Sequence, residues 1–252
     1  MRESAVCLVG LSPPVVTEFV DYFAEGLNDV VLAGTSNSDV VRSVRVCSLA
    51  ISRRHPHLHL HERIWRGDDV DDRSSSLDFL AFMGRILREE RQLHRAARVH
   101  VCIGGGRKNM GVVAALAAQI TGIGSIYHVI NRNVSLISQR LERDRDLLER
   151  IGDEASAEEA RRIYESNAEE LDALLFPPKE EYEVIHLPSI PLPGSYLEAV
   201  VKVLVSDFVE MADARLYQDD LKALELAGLI EIGRSGRIVP TELGKSLGEL
   251  FK

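Results

Sequence analysis

The chain has 252 residues, 45% of them hydrophobic, and a formal net charge of −9. That length holds one large domain, or a moderate one with a small companion, and the apolar fraction is enough for a core. The acidic balance excludes a general affinity for polyanions, and no apolar stretch reaches the roughly 20 residues of a membrane span. The N-terminus carries no cleavable signal pattern. Cys7, Cys47 and Cys102 form no C-x-x-C pair. The expectation is a cytoplasmic protein with buried, reduced thiols and no membrane association.

In chain order, Ala5 to Val9 is a short apolar run ending at Gly10, as in a central parallel strand. Val15 to Phe23 has helical spacing behind Pro13 and Pro14. Val30 to Ala33 reads as a second strand ending in Gly34, Thr35 and Ser36, and Val44 to Ile51 as a third. Leu77 to Ala97 reads as a long amphipathic helix entered through Ser74, Ser75 and Ser76. Arg98 to Ile103 is a strand leading into Gly104-Gly105-Gly106-Arg107-Lys108-Asn109-Met110, and Val112 to Ile120 is a helix. Gly124 to Ile130 is a further strand, ending in Asn131, Arg132 and Asn133.

Strands alternating with helices imply a doubly wound, mostly parallel α/β sheet. The loops after the strands then gather at its carboxyl edge, where open α/β folds bind ligands. The glycine loop there has the makings of a phosphate site. Glycines admit close backbone approach, the helix N-terminus adds partial positive charge, and Arg107 and Lys108 add full charges.

Residues 134–176 interrupt the rhythm as two charged helices broken at Gly152-Asp153. The second is opened by Ser156 with Glu159 three residues on. A hairpin packed on the core or on a second subunit is the simplest role. Pro177-Pro178 ends it, and Tyr182 to Leu187 is a last strand. Beyond Pro193-Gly194 the order is a helix (Tyr196 to Ala212), a helix (Leu216 to Leu226), a hairpin (Leu229 to Val239) and a helix capped by Thr241. That is the pattern of a winged helix-turn-helix. The chain thus divides into an α/β domain, residues 1–194, and a small domain, residues 195–252.

Four histidines, His55, His57, His59 and His61, would share one face of a strand. No Cys, Asp or Glu stands near them at ligand spacing, so an exposed face is expected rather than a metal site. Asp68, Asp69, Asp71 and Asp72 read as a solvated loop.

The loop Leu11-Ser12-Pro13-Pro14-Val15-Val16-Thr17-Glu18, paired with Gly105-Gly106-Arg107-Lys108-Asn109-Met110, resembles the CARF-domain ring nucleases of type III CRISPR systems. The resemblance covers both ends of the α/β domain and the domain order. It departs at Gly104, where the related motif often has Ser or Thr. It implies a Rossmann-like homodimer that binds cyclic tetra-adenylate and cleaves it to linear di-adenylate with a 2′,3′-cyclic phosphate. By the same resemblance, Ser12 and Lys108 are the catalytic candidates. Gly10, Leu11, Pro13, Thr35, Ser36, Gly104, Gly105, Gly106, Arg107, Asn109, Met110, Asn131 and Arg132 are the ligand-binding candidates.

The residues suit that chemistry. A ribose 2′-OH beside its own phosphodiester needs neither metal nor cofactor, only in-line alignment and stabilisation of the charge gathering on the phosphate. Lys108 is placed for the stabilisation and Ser12 for orienting the 2′-OH or a phosphate oxygen. No histidine or carboxylate in these loops acts as a strong base, which implies slow turnover. The simpler alternative is that Ser12 caps a helix and Lys108 only binds phosphate.

The main rival is a CARF winged-helix regulator that senses the same ligand. Against it, residues 196–252 hold seven Lys or Arg and ten Asp or Glu, and Gln218 to Glu225 is acidic where a DNA reader carries cations. Tight duplex DNA binding is therefore not expected, and dimerisation is the favoured role. An NAD enzyme is disfavoured because G-x-G-x-x-G is absent.

Overall fold

The structure is a computed structural model and describes residues 2–251. The alternation read from the sequence forms one six-stranded sheet. Its strands are β1 (Glu3–Leu8), β2 (Asp29–Thr35), β3 (His59–Trp65), β4 (Arg98–Cys102), β5 (Ile126–Asn131) and β6 (Tyr182–Leu187). Their order is β3-β2-β1-β4-β5-β6, with only the β5–β6 pair antiparallel. β1 alternates strictly. Ala5 and Cys7 pack with Val16 and Phe19 of α1 (Pro13–Phe23) and with Val44 and Ile51 of α2 (Ser38–Arg54). Val6 and Leu8 pack on the opposite face with Phe79 and Met83 of α3 (Arg73–Arg88) and with Ala114 of α4 (Lys108–Ile120). A central strand buried on both faces reads as a continuous apolar run for this reason.

Residues 44–51 are not a strand but the middle of α2. Val40, Val44, Cys47 and Ile51 are buried at helical intervals, and Asn37 caps the helix by accepting from the Asp39 and Val40 amides. The third strand lies further on, at His59–Trp65. His55 is therefore a helix cap and His57 lies in a turn, so only His59 and His61 share a strand.

The long helix begins earlier than its serines suggest. Asp72 is the N-cap and accepts from the Ser75 amide, while the Ser75 hydroxyl accepts from the Asp72 amide. It also ends earlier, at Arg88, and continues as one π-helical turn over Glu89–Leu93.

The charged excursion comprises four short helices rather than two: α5 (Val134–Arg143), α6 (Arg145–Asp153), α7 (Ala157–Ser166) and α8 (Ala168–Leu175). The Ser156 cap is present and accepts from the Glu159 amide. α6 docks on α2: Arg42 pairs with Asp153 at 2.6 Å, and Arg45 donates to the Gly152 carbonyl. A Cβ at Gly152 would stand 2.6 Å from Arg42 Cβ.

After α9 (Gly194–Val205) come β7 (Val209–Glu210), α10 (Gln218–Leu226), β8 (Ile230–Ile232), β9 (Arg237–Pro240) and α11 (Glu242–Leu250). The first of these helices stops at Val205, short of Ala212, because the chain turns there to add β7 to a three-stranded antiparallel sheet, β7-β9-β8. Val203, Leu204, Leu221, Ile230 and Ile238 form its own small core. The segment also reaches back. Phe251 packs into the main core against Gly84 of α3, and Arg88 donates to the Leu250 carbonyl.

The tightest backbone contact lies where β1 and β4 end. A Cβ at Gly105 would stand 1.9 Å from the Leu8 carbonyl oxygen, and one at Gly10 would stand 1.8 Å from the Gly105 oxygen. Gly105→Ala is expected to lower stability by about 1–3 kcal/mol, the usual cost of overpacking a closed site. Gly194→Ala, with open space around it, should be near neutral. Paired melting curves check this, and equal melting temperatures for the two variants would refute the constraint.

Candidate functional site

β1, β2, β4 and β5 run parallel, so the loops after them meet at one edge. The mutual exclusion of side chains at Gly10 and Gly105 brings the loop 10–13 against the loop 104–108. The N-termini of α1 and α4 therefore open beside each other. The first turn of α4 offers the free amides there, since Pro13 and Pro14 give α1 none and the Val15 amide bonds the Ser12 carbonyl.

Ser12 stands at the N-cap position of α1 but makes no side-chain capping bond, and Pro13 and Pro14 occupy the first turn. Among the described residues its hydroxyl has no hydrogen-bond partner, so the capping role is not what holds it. Lys108 is the first residue of α4, exposed and without an ion pair among the described residues. Arg107 differs. It is exposed but paired with Asp69, and Asn109 donates to the Val70 carbonyl at 3.1 Å. The acidic loop is thus not merely solvated: it fastens the glycine loop from outside. Asp68 likewise accepts from Ser36, whose hydroxyl also bonds the Arg66 carbonyl.

The other candidates divide. Met110 is buried in the main core and packs with Leu8 and Val101, so its side chain faces away from the edge. Leu11 is exposed and Pro13 buried. Both border a cleft of about 390 Å³ walled by Arg42, Ser43, Ser138 and Arg145. Thr35 is buried, and its hydroxyl has no hydrogen-bond partner. Arg132 is exposed, and its amide bonds the Glu181 carbonyl. Gly104 sits where a Cβ would come 2.9 Å from Val15 Cγ1 and 3.1 Å from His128 Nδ1. A side chain at this position would require Val15 or His128 to shift.

Two titratable groups at this edge were not among the site candidates. His128, on β5, lies beside Gly104. Glu18, the last residue of the Leu11–Glu18 motif and inside α1, is fully buried and accepts from the Asn131 side chain at 3.1 Å. Strand register and helix rotation bring the two to the edge. Burial pushes the Glu18 carboxyl up to about 7, helped by Glu181 and opposed by the Asn131 hydrogen bond. A raised carboxyl pKa favours the folded state while the group is protonated. Its contribution is therefore present below the unfolded value and lost as pH rises through about 7. The stability of the wild type relative to Glu18→Gln should fall between about pH 4.5 and 7. Denaturant midpoints measured across that window check this, and a constant difference would refute it.

Taken together, these elements define an open α/β protein whose ligand-type edge holds two glycine-interlocked loops, an uncommitted serine and an uncommitted lysine. The chain belongs to the CRISPR-associated protein NE0113 family, whose model matches residues 12–215. No curated protein matches it. Solved structures with similarity include Csm6 of Enterococcus italicus bound to cyclic hexa-2′-fluoro-hexa-dAMP, at 13% identity and a TM-score of 0.46, covering 89% of this chain and 45% of that one. Can2 of Sulfobacillus thermosulfidooxidans in complex with cyclic tetra-adenylate is 12% identical, with a TM-score of 0.35 and coverage of 99% and 64%. Protein VC1899 of Vibrio cholerae is 11% identical, with a TM-score of 0.37 and coverage of 98% and 65%. The chain therefore spans less than two thirds of each of these proteins.

Proposed function

We propose that the protein is a CARF-type component of type III CRISPR systems that binds cyclic tetra-adenylate and cleaves it, switching the signal off. The observation that carries this reading is the pairing of Ser12 and Lys108 at adjacent strand ends locked by Gly10 and Gly105, neither side chain being committed elsewhere. The family match and the loop motifs support it. The 2′-oxygen attacks its neighbouring phosphorus, the bond to the 5′-oxygen breaks, and the proton of the 2′-OH is passed on while the 5′-oxygen takes one up. Lys108 and the α4 amides stabilise the charge on the non-bridging oxygens, and Ser12 orients the attacking ribose. Arg107, tied to Asp69, shapes the loop more than it neutralises phosphate.

Lys108→Ala should abolish cleavage and weaken binding, and Ser12→Ala should mainly slow cleavage, each by about a hundred- to a thousand-fold in rate. The assay runs in EDTA, with products resolved by chromatography. Linear products ending in 2′,3′-cyclic phosphate and 5′-OH are expected, and a 2′-fluoro ring should bind and resist. A 5′-phosphate product, or wild-type turnover by the lysine variant, would sink the mechanism. Binding without cleavage, together with nanomolar affinity for duplex DNA, would turn the reading to a winged-helix regulator. The net acidity of residues 196–252 argues against that outcome.

The working unit is a homodimer with the ligand across its two-fold axis, since two copies of each loop match a ring of near two-fold symmetry. Val112 and Leu116, one turn apart on α4, are 61% and 47% exposed, and Leu11, Ile130 and Val134 are exposed at the same edge. The double variant Val112→Glu with Leu116→Glu should be a monomer by light scattering and should lose ligand binding. A wild type that is monomeric at micromolar concentration yet still binds would refute the dimer.

A further inference from the structure

The opposite edge of the sheet carries a second cluster, independent of the reading above. Asp29 is the first residue of β2, and the β2–β3 pairing sets His61 two residues along on the next strand. His94 closes the π-helical turn after α3 and brings its ring 5.7 Å from that of His61. We propose that Asp29, His61 and His94 bind a divalent cation of the zinc type, clipping β2 and β3 to the end of α3.

Three features carry the assignment. First, one donor atom from each residue lies within 4.8 Å of the other two. His61 Nε2 stands 3.5 Å from Asp29 Oδ1, too long for a good hydrogen bond. Metal–ligand bonds of about 2.0–2.1 Å in a tetrahedron put neighbouring donors about 3.4 Å apart, close to this spacing. Second, His61 Nε2 is a buried nitrogen without a hydrogen-bond partner among the described residues, an arrangement that polar groups rarely keep unless something else satisfies them.

Third, the surroundings orient the donors. Arg2 donates to Asp29 at 2.6 and 2.7 Å, holding the carboxylate ionised while a lone pair of Oδ1 stays open towards His61. Glu90 is 3% exposed and receives the Ser4 hydroxyl on Oε2 at 2.7 Å, leaving Oε1 3.4 Å from His94 Nδ1. A carboxylate behind a histidine is the usual outer partner of a metal-bound imidazole. Two imidazoles and one carboxylate suit zinc or cobalt rather than magnesium or calcium. Side-chain exposures of 30% for His61 and 27% for His94 leave a path for entry. A histidine-only reading of the sequence gave no site because Asp29 and His94 lie about thirty residues away on either side of His61.

The test uses the full chain, stripped with chelator and dialysed, then titrated with Zn²⁺ by calorimetry and with Co²⁺ by visible absorption. One Zn²⁺ per chain and the d–d bands of tetrahedral Co²⁺ are expected, while Mg²⁺ and Ca²⁺ should give no heat of binding. His61→Ala and His94→Gln should each lose at least about tenfold in affinity and the Co²⁺ bands, and Glu90→Gln about ten- to a hundred-fold in affinity. His186→Ala, on β6 at the far side of the sheet, should leave both unchanged. Circular dichroism of the metal-free variants separates lost binding from lost folding. A stoichiometry below one, or unchanged Zn²⁺ affinity in a folded His61→Ala/His94→Gln double variant, overturns the assignment.

Discussion

The contact on which the rest of the α/β unit depends is between two backbones. β1 and β4 are neighbours at the centre of the sheet, and each leaves it through a glycine pressed against the other chain segment. No side chain fits at Gly10 or Gly105. The two following helices are consequently held with their first turns side by side, and the loops between cannot drift apart without opening the sheet. The two loops are thereby held rigidly relative to each other.

In a body of net charge −9, attraction for an anion must be local. The structure concentrates it by subtraction. Asp69 takes up Arg107, and Asp68 is occupied with Ser36. What faces outward from the glycine loop is the Lys108 ammonium at a helix N-terminus, where its charge and the helix dipole act in the same direction. The acidic residues of that loop thus set which cation is available.

Legibility followed contiguity. β1 and β2 were readable because strands buried on both faces are nearly unbroken apolar runs, β4 and β5 because they are short and mostly apolar, and the loops after them because they are short and rich in glycine and asparagine. Val44 to Ile51 misled because Val, Cys and Ile favour strands, while the helical period shows only when Val40 and the Asn37 cap are counted. The excursion over 134–176 was recognised as helical, but its breaks at Asp144 and Asn167 carry no glycine or proline to announce them. His128, Asp29 and His94 could not be found at all from local pattern, and Glu18 was seen only as the end of a motif. Each acquires its neighbours through register or helix rotation, which a single sequence does not display.

The two edges of the sheet are chemically unlike, and the topology requires it. In a parallel sheet crossed by helices, strand carboxyl ends adjoin helix N-termini and strand amino ends adjoin helix C-termini. The first edge carries partial positive charge and unpaired amides, and here it holds the glycines, Ser12 and Lys108. The second carries partial negative charge and unpaired carbonyls. It is where α2 ends at His55, where α3 passes into its π-helical turn, and where Asp29, Glu90, His61 and His94 collect. Buried carboxylates at that edge receive no help from helix dipoles. Each therefore needs a cation or a donor brought to it: Arg2 for Asp29 and Ser4 for Glu90. The remaining oxygens face His61 and His94. The same backbone polarity thus suits one edge to an anion and the other to a cation.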